Sequence, residues 1–180
     1  MTLRRTLMMG LVYVSMVAAC ASLGMSQAAY IPTLQGTTFA GNEVRLPQAF
    51  AGKAGVLIVA FTRESQENAR AWGKLLAQRY PDDSRVAYYE LPVVASVPAL
   101  LRGWVIGRIR ESVAEPTRAH FLPVLDHAAQ WKQITGGKAS DTACVLVVDA
   151  SGAVRWHYQG PADAPAFAEL QLQVDRVLPG

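Results

Sequence analysis

Apolar and polar positions repeat with two different periods along this chain, and the switches between them mark its elements. Residues 55–62, GVLIVAFT, form an uninterrupted apolar run rich in β-branched side chains. That run predicts a central strand buried on both faces. The stretch that follows, ESQENARAWGKLLAQRY, places Ala69, Trp72, Leu75, Leu76 and Tyr80 on one face at helical spacing, as an amphipathic helix requires. Pro81, with Asp82 and Asp83 behind it, ends that helix. Upstream, Val44 and Leu46 alternate with polar neighbours after the turn AGNE, which predicts a short hairpin over the region that opens at Thr37.

Downstream the alternation of periods continues. RVAYYELPV reads as a strand, and SVPALLRGWVIGRIRESVAE as a second helix with Pro98 in its first turn. The apolar face expected for that helix is Leu101, Trp104, Val105, Ile109 and Val113, with Gly103 and Gly107 weakening it. FLPVLDHAAQWKQITGG is a short helix before a glycine stop, and CVLVVDASGAVRWHYQG is a hairpin turning at Ala150-Ser151-Gly152. Asp163 caps a last helix through Leu170, Val174 and Val177. A βαβ half followed by a ββα half gives one α/β domain, a mixed central sheet flanked by helices with an added N-terminal β-hairpin.

The N-terminus follows a different pattern. MTLRR is a short basic segment, an uncharged apolar stretch runs from Thr6 to Gly24, and SQAAY supplies small residues. This is the layout of a secretory signal, and two processing routes fit it. Cleavage after Ala28 makes residues 1–28 a signal peptide; alternatively VAAC resembles a lipobox, so that residues 1–19 are removed and Cys20 is acylated. An uncleaved signal anchor is a third route. The expected organisation is then a linker over 29–36 and the folded domain over 37–180, exported and either periplasmic or anchored facing the periplasm. Membrane association is expected only through the signal anchor or a lipidated Cys20.

This changes the meaning of the composition. The chain is 51% hydrophobic with a mean hydropathy of +0.16, and part of that excess belongs to the leading segment. Arg4 and Arg5 leave with the segment and no acid does, so the formal charge of +3 falls by two to +1. A near-neutral domain is no nucleic-acid binder by charge. Of the two cysteines, Cys20 lies in the leading segment, so no disulfide can form within the body, and Cys144 in its apolar run reads as a buried, inert thiol.

The segments LPQAFAGKAGVLIVAF and VLVVDASGAVRWHYQG, with the element order, resemble the redoxin branch of the thioredoxin-like superfamily over about residues 37–178. In redox members the turn from strand to helix carries Cys-x-x-Cys or Thr-x-x-Cys, where the helix N-terminus stabilises a thiolate. Here that turn reads FTRESQENA: Thr62, Arg63 and Ser65 stand at the degenerate redox position, with serine in place of the thiol. Serine is a poor nucleophile without a base beside it, so Ser65 reads as a helix N-cap with Asn68 three residues on. SDTACVLVVD also lacks the proline that precedes the corresponding strand in redox members. A finer resemblance is to the redox-inactive thioredoxin-fold assembly factors of the mitochondrial ATP synthase membrane sector. It rests on Asp149, Gly152, Val154, Arg155, Trp156 and Gly160, and on WVIGRIRESV with RAHFLP. It implies a non-catalytic role with a protein partner, and a membrane-embedded partner is compatible with it.

Other chemistry finds little support. His120 and His127 are separated by Pro123, there is no HExxH spacing, and GKAG precedes a strand rather than a helix. No metal and no cofactor are expected. The surface candidates are Arg102, Trp104 and Arg108 on the second helix, near Arg110 and Arg118, and Arg155 with Trp156 on the penultimate strand. Arg and Trp anchor interfaces, and equally fill cores or pair with acids such as Glu111 and Glu115. The expected function is a redox-inactive binding or assembly factor. The alternatives are an atypical thiol oxidoreductase or peroxiredoxin-like enzyme using Cys144, and a small-molecule carrier using the vacated redox cleft.

Overall fold

In the computed structural model, which describes residues 29–81, 85–137 and 141–178, the long apolar run becomes the middle of a four-stranded sheet. The leading segment with Cys20, and Asp82 and Asp83, lie outside the described residues. The strands are β1 (Leu34–Thr37), β2 (Glu43–Leu46), β3 (Ala54–Ala60), β4 (Val86–Pro92), β5 (Cys144–Val148) and β6 (Val154–Gln159). The helices are α1 (Arg63–Arg79), α2 (Ala99–Glu111), α3 (Ala128–Ile134) and α4 (Ala164–Val177), with 3-10 turns at Gln48–Phe50 and Glu115–His120. Sheet order is β4-β3-β5-β6, parallel between β3 and β4 and antiparallel elsewhere, while β1 and β2 form a separate hairpin. This is the expected element order and architecture.

All seven residues of β3 and all five of β5 are buried, because helices cover one face of the sheet and the hairpin with α3 covers the other. Val56, Ile58, Val145 and Val147 meet Trp72 and Leu76 of α1 and Leu170 and Val174 of α4. Leu57, Val59, Cys144, Leu146 and Val148 meet Leu34, Leu46, Phe50 and Trp131. Each fully buried large aliphatic side chain in these two layers contributes about 1.5–3 kcal/mol. Gly55 lets the 3-10 turn close on the sheet, since a Cβ there would press on the Phe50 ring and Val148.

The exposed flank of β4 is covered rather than left open. Phe121 and Val124 bridge in parallel to Glu90 and Val93, and His120 stacks on the Tyr88 ring at 3.9 Å. A covered edge cannot template pairing with another chain. Phe39, Val94, Ile109, Val113 and Phe121 form a third, smaller cluster beneath α2.

Three details differ from expectation. The stretch 29–36 is not a free linker: Tyr30 bridges Ala153, Ile31 is buried and donates to the Gly152 carbonyl at 2.9 Å, and β1 begins at Leu34. Pro98 is the residue before α2 rather than within its first turn. Of the apolar face expected on α2, Ile109 and the following Val113 are buried, whereas Leu101 and Trp104 are 52% and 69% exposed and Leu100 is 96% exposed. The reason lies in spacing: Leu100-Leu101 and Trp104-Val105-Ile106 wind around the helix, so only a narrow strip can face the body. No helix among the described residues is long and apolar enough to cross a membrane.

Candidate binding site

The turn from β3 into α1 is closed by hydrogen bonds. Thr62, extended at φ −117° and ψ 169°, is the N-cap: its Oγ1 accepts from the Ser65 backbone N–H at 3.0 Å. Ser65 at the third helical position answers by accepting from the Phe61 and Thr62 backbone N–H groups at 3.0 and 2.9 Å, while its own hydroxyl donates to the Thr62 carbonyl at 3.0 Å. This is a reciprocal capping box. The cap is therefore Thr62 and not Ser65. Ser65 is fully buried, and the bonds of its hydroxyl stay within residues 61–65. Asn68 does not take part; its Oδ1 accepts from the Ala143 backbone N–H at 3.0 Å and ties α1 to the entry of β5.

Cys144 is the first residue of β5 and points to the hairpin side of the sheet, away from α1. It is 1% exposed, and burial pushes its thiol up to about 12. A thiol in that state holds almost no thiolate at neutral pH.

The open surface lies beside the turn, between α1 and α2. Two clefts of about 440 and 410 Å³ meet at Arg70 and Ser112. The Arg70 guanidinium donates to the Ser112 hydroxyl at 2.8 Å across the gap, and that hydroxyl donates in turn to the Ile109 carbonyl at 2.7 Å. The upper cleft is lined by Arg63, Gln66 and Glu67 of α1 and by Trp104, Val105 and Arg108 of α2. The lower one is lined by Gly73, Lys74 and Ala77 with Val113, Thr117 and Phe121. At the lower cleft, Glu90 of β4 is 6% exposed and sits with Arg70 and Gly73 in the lining. Burial pushes Glu90 up to about 8, with Arg70 acting in the opposite direction. Gly73 makes room for it, because a Cβ there would collide with the Glu90 carboxyl.

The structure thus brings together only part of the sequence-predicted set. Arg63, Trp104 and Arg108 line one cleft. Arg102 is taken up locally, its guanidinium donating to the Val97 and Ala95 carbonyls at 2.8 and 2.9 Å, and Arg118 donates to the Val113 carbonyl at 3.2 Å. Arg155 and Trp156 lie on β6 and point to opposite faces. Arg155 pairs with Asp149 at 2.6 Å, and Trp156 stacks on Tyr158 against the core. Burial pushes Asp149 up, but bonds from Ser151, Arg155 and Ala153 outweigh it and hold the carboxyl low. The motif DASGAVRW accordingly builds its own turn. Glu90, Arg70 and Lys74 were missed. A lone acid inside the apolar run VAYYELPVV, with a glycine following Trp72 in the facing helix, was the available signal.

Among the described residues there is no group of three His, Cys, Asp or Glu side chains placed to hold a metal ion. No family model matches the chain, and no curated protein matches it in sequence. Solved structures do match in fold. A thiol:disulfide interchange protein of the thioredoxin family from Chlorobium tepidum aligns with TM-score 0.53 at 14% identity, covering 86% of this chain and 99% of its own. BsSco, a member of the Sco family of cytochrome c oxidase assembly proteins, aligns with TM-score 0.58 at 10% identity over 84% and 94%. An uncharacterized conserved protein from Geobacillus kaustophilus aligns with TM-score 0.59 at 17% identity over 84% and 81%. At such identities the likeness speaks for architecture alone, and it agrees with the sheet order and flanking helices described above: this chain has a thioredoxin-like fold.

Proposed function

We propose that this chain is an exported, redox-inactive thioredoxin-fold protein that works by binding a protein partner, as an assembly or accessory factor for a membrane complex. The observation that carries this reading is the state of the turn where redox members of the fold do their chemistry. Ser65 is buried and locked in a capping box, with no base within its hydrogen-bond set. A serine so placed can neither be deprotonated nor reach a substrate. Cys144 cannot substitute for it, being buried on the far face of the sheet. What remains accessible beside the turn is a cleft, and clefts flanked by Arg and Trp suit recognition. Export is supported by the basic, apolar and small-residue succession in residues 1–28. An assembly role is supported by the resemblance of the DASGAVRW region to the ATP synthase assembly factors, and a protein of the same fold belongs to a family of cytochrome c oxidase assembly proteins.

The test is turnover. The full chain and its Cys144→Ser variant are assayed for dithiol-dependent disulfide reduction and for peroxide reduction. Background rates in both are expected. Turnover by the native chain that disappears in the variant would make the protein a thiol enzyme and overturn the reading.

A further inference from the structure

We propose that the groove between α1 and α2 receives an acidic peptide segment of the partner, with one carboxylate held by Arg70 and Lys74 above Glu90 and an apolar neighbour lying on Trp104. This rests on the binding reading given above and names the chemistry of the partner. Three observations carry it. First, the groove's rim is cationic: Arg63, Arg70 and Lys74 line it beside Glu67, while Arg108 is paired with Glu111 at 3.3 Å. Second, Arg70 is positioned rather than free. Its bond to Ser112, itself fixed by the Ile109 carbonyl, holds the guanidinium over the junction of the two clefts. Third, a carboxyl borders the lower cleft: Glu90 is 94% removed from solvent and lines that cleft with Arg70, Gly73 and Lys74.

A buried polar group costs stability unless it is satisfied. The fold nevertheless provides for this one, because Gly73 leaves a space beside β4 that any larger residue would close. Burial raises Glu90 to about 8, so near neutral pH it is mainly a neutral acid. Its O–H can then donate to an incoming carboxylate instead of repelling it, and a charge-assisted bond of that kind is stronger than a neutral one. In the upper cleft Trp104 and Val105 offer the apolar ground on which a neighbouring side chain can rest. A cationic ligand would instead meet Arg70 and Lys74 beside Glu90.

The full chain, kept in mild detergent, is titrated with three blocked hexapeptides, Gly-Leu-Glu-Leu-Glu-Gly and its Gln and Lys counterparts, by calorimetry. The Glu peptide is expected to bind and the Gln peptide to bind about tenfold more weakly, with Arg70→Gln and Lys74→Gln each removing most of that difference. Trp104→Ala should weaken both peptides without altering the preference between them. All these positions are exposed, and a circular-dichroism melt of each variant confirms that it folds. Equal binding of the Glu and Gln peptides, a preference unchanged by Arg70→Gln, no binding at all, or binding only to vesicles of anionic lipid would overturn the inference. The turnover assay separates the two claims. A silent thiol with no peptide preference discards the groove and leaves the non-redox reading standing, whereas a reactive Cys144 discards the reading and the inference with it.

Discussion

Ser65 and Glu90 are both polar and both buried, yet the structure treats them in opposite ways. The Ser65 hydroxyl gives and receives its bonds within one turn, so its burial is offset locally. Glu90 is held towards its protonated form by burial, so its protonation state is linked to stability. Its folded value is raised from 4.5 to about 8. Below 4.5 the carboxyl is protonated in both folded and unfolded chains, and stability from this group is fully present. As pH rises towards 8 the unfolded chain gives up the proton while the folded one must keep it, so stability is lost by up to about 1.4 kcal/mol per pH unit. Chemical denaturation at pH 5 and pH 8.5 should show the native chain losing on the order of several kcal/mol more than Glu90→Gln over that interval. Other groups face the same region, among them Arg70, Lys74, Tyr88 and His120. His120 is held low by burial, against its bond to the Tyr88 carbonyl, and so favours folding at higher pH. The comparison with Glu90→Gln cancels those contributions. Parallel curves for the two proteins would contradict the account of Glu90.

At the scale of elements, α1 and α2 are built on different terms. α1 buries Ala69, Trp72, Gly73 and Leu76 in one stripe, is capped by Thr62, and anchors the Trp72 indole by donation to the Gly160 carbonyl at 3.2 Å. α2 buries Ile109 alone within its length. Truncating its other large side chains should accordingly cost little. Trp104→Ala is expected to change unfolding free energy by less than about 0.5 kcal/mol, as for other surface positions. Ile109→Ala should cost about 2 kcal/mol or more, and Trp72→Ala about 3–5 kcal/mol. Denaturant midpoints of the three variants decide this, and a loss for Trp104→Ala as large as that for Ile109→Ala would mean that α2 packs by the face assigned here to a partner. The same contrast explains what the sequence could reveal. The stripe in α1 and the unbroken run in β3 have one period each and were legible. In α2 apolar residues occupy every side, and periodicity alone could not say which side the body would take.

For the whole molecule, fold was more legible than site. Strand and helix order followed from two periods and from turn residues such as Gly152, whose φ of 83° few other residues tolerate. The site needed information that local pattern does not hold. Glu90 and Arg70 are twenty positions apart and meet only because β4 lies beside β3 and α1 crosses above them. Arg155 and Trp156 are adjacent in sequence and therefore point apart on a strand, which the alternation rule already implied. The absence of redox cysteines was visible at once, whereas the sealing of the turn that replaces them required coordinates.

The central claim is that this thioredoxin-like fold has no working thiol, and the most direct measurement is the rate at which Cys144 is modified. The folded chain is exposed to a thiol-alkylating reagent, and modification is mapped by peptide mass spectrometry so that Cys20 is scored separately. Cys144 should remain unmodified until denaturant unfolds the domain, and then react as fast as a free cysteine. Rapid modification of Cys144 in the folded chain, with a rate that rises through neutral pH, would show a reachable thiolate and contradict the account.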